Sequence, residues 1–211
     1  MQIRKRKWSI PYVKFIVVIT VMVSTIGIVT SSFRTGNDLK TASGNTNRTD
    51  SIASVTAFMK VYDVLMSPRC MNCHPAGDIP LQGDDSHVHT MKPKRGKDGK
   101  GLYAMKCSNC HQPTNTPGLN TAPGNPKWAL PPADMKMVFQ GRSPRDLALQ
   151  IMDYKRNGHK NKAQLIEHAR DTLVKAGWDM GEGRKPPPLS YKEFVAAWDE
   201  WINSGGIAPV K

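Results

Sequence analysis

The chain has 211 residues, room for one domain or one domain with a tail. Its hydrophobic fraction of 39%, beside 17 glycines and 16 prolines, excludes a large self-sufficient apolar core and leaves a place for a large flat apolar cofactor. Of the formal charge of +13, five charges lie within residues 1–14, and the eight that remain would suit an acidic partner, anionic groups or simple solubility.

In chain order, residues 1–14 are basic (Arg4, Lys5, Arg6, Lys7, Lys14) and Phe15 to Val29 is an uncharged apolar run. That pattern is a Sec-type signal peptide or, read on to Phe33, an N-terminal membrane anchor of about 20 residues. With the positive charges ahead of the run, either reading puts residues 34–211 outside the cytoplasmic membrane, in the periplasm. No A-x-A cleavage site is present, and no cysteine follows the run, which excludes a lipoprotein anchor. Residues 34–50 are small and polar and read as a flexible tether, so the folded domain is expected over 51–211.

Apolar residues at Ile52, Val55, Phe58, Met59, Tyr62, Leu65 and Met66 recur at three and four, predicting a helix over 52–66 that stops at Ser67-Pro68. A short helix is expected over Gly101–His111. Further helices are expected from Ser143-Pro144 to about residue 156, over 162–175, and from the capping box Ser190-x-x-Glu193 to Gly205-Gly206. No strand alternation stands out, so the fold class is mostly α, with long ordered loops.

The four cysteines are all accounted for by one repeated pattern, Cys70-Met71-Asn72-Cys73-His74 and Cys107-Ser108-Asn109-Cys110-His111. Cys-x-x-Cys-His is the attachment signature of haem c. Two thiols three positions apart reach the two vinyl groups, and the next residue presents an imidazole to the iron. The pattern therefore predicts two covalently attached haem c groups, with Cys70, Cys73, Cys107 and Cys110 as attachment points and His74 and His111 as proximal ligands. A zinc site built from the two Cys pairs is the competing reading, but it leaves a histidine after each pair without a role.

The sixth ligands are left open among five residues. The segment HVHTM at 87–91 offers His89 and Met91 to the first haem. Met135 and Met137 follow a proline-rich stretch and are available to the second, and His168 lies on a helix between Leu165 and Leu173. The basic run from Lys92 to Lys100 is a propionate partner, a docking face or a solvated loop. It lacks interleaved aromatics, and nucleic acid is not an expected partner. Trp178, Trp198 and Trp201 are expected in the core or in a haem wall.

With these motifs in place, residues 58–206 resemble a group of two-haem c-type cytochromes that serve as cytochrome subunits of isoquinoline 1-oxidoreductase-type molybdenum hydroxylases. The resemblance is carried by Cys70-x-x-Cys73-His74-Pro75, Pro80-Leu81-Gln82-Gly83-Asp84, His89-x-Met91, Arg95-Gly96-x-Asp98-Gly99 and Met105-x-Cys107-x-x-Cys110-His111-Gln112. It continues in Trp128-x-Leu130-Pro131-Pro132, Phe139-x-Gly141-Arg142-Ser143, Asn157-Gly158, His168 and Gly181-x-Gly183-Arg184. It implies a compact cytochrome c-like domain that takes electrons from a dehydrogenase, such as a molybdenum hydroxylase, and passes them to a respiratory chain. The alternative is a two-haem peroxidase-like enzyme with one open iron, for which Gln82, Asp84, Asp85 and Gln112 are candidate distal groups.

Overall fold

The computed structural model describes residues 37–210, with side chains from Asp50 onward. The signal or anchor segment read over residues 1–33 lies outside the described residues. Among the described residues no helix is long and apolar enough to cross a membrane.

Six α-helices and two small hairpins make up the described chain. Helix α1 (Asn37–Leu65) leads into the short α2 (Pro68–Met71). Strands β1 (Leu81–Gln82) and β2 (His87–Val88) pair antiparallel, as do β3 (Gly101–Leu102) and β4 (Met105–Lys106). A 3-10 turn at Cys107–Asn109 and a long irregular stretch follow. Then come α3 (Pro144–Met152), α4 (Lys162–His168), α5 (Thr172–Lys175), a 3-10 turn at Ala176–Trp178, and α6 (Tyr191–Asn203). The mostly α class is as expected.

The core is helical. Phe58, Val61 and Val64 of α1 meet Leu147 and Ile151 of α3 and Phe194, Trp198 and Trp201 of α6. The Phe58 and Trp201 ring centres are 4.5 Å apart. Three indole N–H groups find backbone acceptors: Trp198 donates to Leu165 O at 2.9 Å, Trp201 to Ile207 O at 3.1 Å and Trp178 to Leu189 O at 2.7 Å. These tryptophans belong to the core, one of the two places expected for them. Ser54, fully buried on α1, donates to Trp201 O and accepts from the Ile207 N–H, fastening the C-terminal segment to α1.

Helix boundaries follow their caps. Ser143 with Pro144 opens α3, and Asn161 with Gln164 and Ser190 with Glu193 form capping boxes for α4 and α6. Four boundaries differ from the sequence reading. Helix α1 begins at Asn37 rather than Ile52, so helical backbone occupies residues 37–50 of the stretch read as a tether. That stretch contains no proline, and a helix anchored by buried α1 residues propagates upstream at little cost. Helix α3 ends at Met152, because Asp153 turns extended (ψ 110) and accepts from the Lys155 N–H. The helix expected over 162–175 is cut after His168, where Asp171 leaves helical geometry and caps the Leu173 N–H at 3.0 Å.

The fourth difference matters most for the site. Gly101–His111 is a hairpin followed by a 3-10 turn, not a helix. Gly101 (φ 89) and Tyr103 (φ 49) are left-handed, and a Cβ at Gly101 would run into the Met105 carbonyl oxygen. Both hairpins have strands of two residues, too short for alternation to register in sequence.

Candidate functional site

The two Cys-x-x-Cys-His segments fold differently but present their histidines identically. In the first, Ser67 and Pro68 start α2, and the chain tightens so that Cys73 N–H donates to Cys70 O at 3.2 Å and His74 N–H to Met71 O at 2.9 Å. In the second, the β3–β4 hairpin delivers the 3-10 turn, and Cys110 N–H donates to Cys107 O at 3.2 Å. His74 Nδ1–H donates to Met137 O at 2.7 Å, and its ring stacks on Phe139 with centroids 3.8 Å apart and planes 7° apart. His111 Nδ1–H donates to Pro123 O at 2.7 Å, and its ring stacks on Trp128 at 4.2 Å and 11°. In each case a carbonyl on Nδ1 fixes the tautomer that leaves Nε2 with a free lone pair.

Burial weighs against the charged form of both histidines. It pushes His74 down to about 4, against the weaker pull of the Met137 carbonyl, and lowers His111 in the same way. Burial also raises the thiols, Cys70 to about 12 with help from neighbouring Cys73, and Cys73 to about 11. Zinc binding needs thiolates converging on one point. Among the described residues no three His, Cys, Asp or Glu side chains are grouped to hold a metal ion.

The two motifs open on one cavity. It has a volume of about 410 Å³, and Cys73, Cys107, Cys110 and His111 line it together with His89 and Met91. Leu81, Leu130, Met105 and Pro123 supply much of its apolar wall. Cys107 is near enough to Cys73 for its charge to bear on that thiol.

The candidate sixth ligands are crossed relative to the sequence reading. His89 and Met91, expected beside the first motif, stand by the second. The His89 ring centre is 6.4 Å from that of His111, with planes 66° apart. The chain returns through the β1–β2 hairpin, where His89 N–H donates to Pro80 O, and this carries the segment away from His74. Met91 borders the cavity but is 64% exposed. Met135 and Met137, expected at the second motif, lie toward the first: the Met137 carbonyl holds His74, and Met135 packs near Gly158. His168 ends α4, close enough to His74 for the two charges to oppose one another, and lines a second cavity beside Gly158 and Lys160. Burial first, then Lys160, keeps His168 below its ordinary range. Each motif thus has a further histidine nearby, His168 for His74 and His89 for His111. His89 differs from the motif histidines in one respect, since its Nδ1 accepts a long bond from the Met91 N–H at 3.3 Å.

Phe139 and Trp128, the two stacking partners, carried no such role in the sequence reading. Each is separated along the chain from its histidine, by 17 residues for Trp128 and 65 for Phe139, and no local spacing marks the pairing. The basic run is mostly solvated: Lys92, Lys94, Lys97 and Lys100 are exposed. Arg95 is the exception, fully buried, donating to Pro131 O at 2.6 Å and Gly77 O at 3.0 Å, which ties together the loops beyond both motifs.

No family model, curated protein or solved structure compared with the chain gives a match.

Proposed function

We propose that this chain is a two-haem c-type cytochrome that transfers electrons outside the cytoplasmic membrane. The observation that carries the reading is the duplicate presentation of His74 and His111, each with Nδ1 committed to a backbone carbonyl and the ring held against an aromatic face. Two unrelated backbone shapes converge on that arrangement, immediately after paired cysteines, and it suits an imidazole that must offer Nε2 to iron.

The residues fit the group. Cys70 with Cys73, and Cys107 with Cys110, would hold a haem each through thioether bonds, with His74 and His111 as proximal ligands. When bound, haem iron supplies a one-electron couple whose potential follows its axial ligands and surroundings. The His89 and His111 ring centres are 6.4 Å apart and both side chains line the cavity, so the two would be placed to hold one iron between them. His89 is therefore the sixth ligand we assign to the second centre, after exchange of its ring tautomer. His168 is the one we assign to the first, with Met91 and Met135 as the thioether alternatives.

The carrier reading is favoured over a peroxidase by how the candidate distal groups are engaged. Among the described residues no carboxylate lines the cavity. Asp84 is engaged by Arg69 at 2.5 Å, Asp85 pairs with His87 at 2.6 Å at the surface, Gln82 accepts from the Thr90 N–H, and Gln112 is exposed. The exposed lysines of residues 92–100 offer a face to an acidic redox partner. A molybdenum hydroxylase is the donor that the family resemblance suggests, with residues 15–33 as the export signal or anchor.

The test is maturation in a host with the haem c assembly machinery. Two haems per chain by mass, low-spin in both oxidation states and with little carbon monoxide binding, are expected. A chain without covalent haem would overturn the reading, and a high-spin centre that binds carbon monoxide tightly would favour the enzyme.

A further inference from the structure

The cavity shared by the two motifs carries charge of one sign. Arg69, Lys106 and Arg184 line it, and among the described residues no Asp or Glu does. Arg69 is 5% exposed and sits directly before Cys70. Its Nη2 donates to Gly83 O at 3.1 Å and to Asp84 Oδ1 at 2.5 Å, while its Nε is buried without a partner. A buried guanidinium N–H without an acceptor is a costly arrangement that a bound anion would relieve.

Arg184 comes to the same wall from far along the chain. It is fixed by donating to Met180 O at 2.9 Å, Asn120 O at 3.1 Å and Thr121 O at 2.6 Å. Burial and then the charge of Arg69 weigh against its protonated form, with Asp84 the acid that offsets them. Asp84 also accepts from the Lys185 N–H at 3.3 Å. One carboxylate therefore serves two guanidinium groups. Asn72 adds a second unpartnered atom: its Nδ2 donates to Gly83 O at 2.9 Å, and its buried Oδ1 has no donor. A carboxyl group satisfies that acceptor only when protonated, and satisfies Arg69 Nε when ionised.

Resting on the two-haem reading, we propose that Arg69, backed by Arg184, seats a carboxylate of the cofactor held in this cavity, a haem propionate. Arg69 and Arg184 are positioning residues here, and they set the proton affinity of that carboxylate. With both guanidinium groups in place it stays ionised through reduction. Without Arg69, reduction draws a proton onto it, and the potential becomes dependent on pH. Arg95 provides the contrast. It is as deeply buried and its Nε likewise lacks a hydrogen-bond partner, but that Nε faces the Asp78 carboxylate at 3.5 Å, both Nη groups are taken by carbonyls, and it lies outside the cavity wall.

The experiment is a spectroelectrochemical titration of the matured full chain from about pH 5 to about pH 8. Arg69→Gln should move one of the two couples tenfold toward the oxidised form, about 59 mV for a one-electron couple, and give it a pH slope the parent lacks. Arg69→Lys should keep most of the parent potential, and Arg184→Gln should shift the same couple in the same direction by less. Should Arg69→Gln fail to mature, Arg184→Gln and Arg69→Lys decide on the same readout. Two attached haems with unchanged couples and no new slope would overturn the seat and leave the two-haem reading standing. No covalent haem in the parent would overturn both. A potential that follows added acetate instead of pH would assign the seat to a free carboxylate and overturn the propionate.

Discussion

Replacing Phe139 separates packing from stacking at the first motif. The side chain is 6% exposed and lies flat on His74 at 3.8 Å, and the Phe139 N–H donates to His74 O at 2.9 Å. Phe139→Ala empties a buried site and should cost about 3–5 kcal/mol. Phe139→Leu keeps most of the volume and should lose chiefly the aromatic contact, about 0.5–1.5 kcal/mol. For a domain of this size 1 kcal/mol moves Tm by about 2–4 °C, so Phe139→Ala should lower Tm by roughly 6–20 °C and Phe139→Leu by a few degrees. Thermal melts of the matured protein followed by far-UV circular dichroism give both values. Low-spin EPR signals recorded alongside should change at one centre, the one attached through Cys70 and Cys73, because Phe139 orients His74 alone. If Leu proves as damaging as Ala, the stack has no separate worth. If the altered signal belongs to the centre at Cys107 and Cys110, the pairing of Phe139 with His74 is wrong.

Cys107→Ser combined with Cys110→Ser should leave one haem per chain by mass, and the same pair of changes at Cys70 and Cys73 should leave the other. His89→Ala should open the second centre to carbon monoxide, read as a new band in the reduced spectrum, while Met91→Ala should not. Lys136 first, with Arg95, holds the Asp78 carboxyl below the usual carboxylate range. Its folded pKa lies under its unfolded one, so its contribution is present above the unfolded value and lost as pH falls through the folded value. Asp78→Asn should flatten that part of the acid unfolding curve measured by urea denaturation. In the protein before haem attachment, amides of residues 75–135 should exchange with deuterium much faster than those of α6, and attachment should slow them.

The helices were legible in the sequence where a cap or a period marked them. Ser190 with Glu193 and Ser143 with Pro144 placed the starts of α6 and α3 within a residue, because capping is a local contract between a side chain and the next three amides. The upstream extent of α1 was not legible, since residues 37–50 carry no apolar period and nothing there forbids a helix. The two Cys-x-x-Cys-His motifs stand out in the sequence because the thioether and iron chemistry proposed for them requires a fixed local spacing. The assignment of His89 and Met135 to their motifs was not. That pairing depends on the β1–β2 return and on a carbonyl at Met137, both tertiary, which closeness in sequence does not report.

The distribution of the core explains why the cysteines lie where they do. Buried hydrophobic residues are concentrated in α1, α3, α4 and α6, and only Leu81, Leu130 and Phe139 of the buried set fall between the first motif and α3. That stretch is held instead by directed hydrogen bonds: Arg95 to Gly77 and Pro131, Arg184 to Asn120 and Thr121, and the Leu130 N–H to Gly99 O at 3.0 Å. At Gly99 a Cβ would run into the Leu130 carbonyl oxygen, so the loops approach as closely as backbone permits. Polar ties of this kind fix a shape but bury little apolar surface, and the cavity lies at their centre. A large apolar group anchored by thioethers would supply the interior the sequence omits. The same anchoring would keep it in place where side-chain packing alone is thin. On the two-haem reading, the low hydrophobic fraction and the two Cys-x-x-Cys-His motifs would be one design: the loops would provide ligands, tethers and charge, and the cofactor would provide the core.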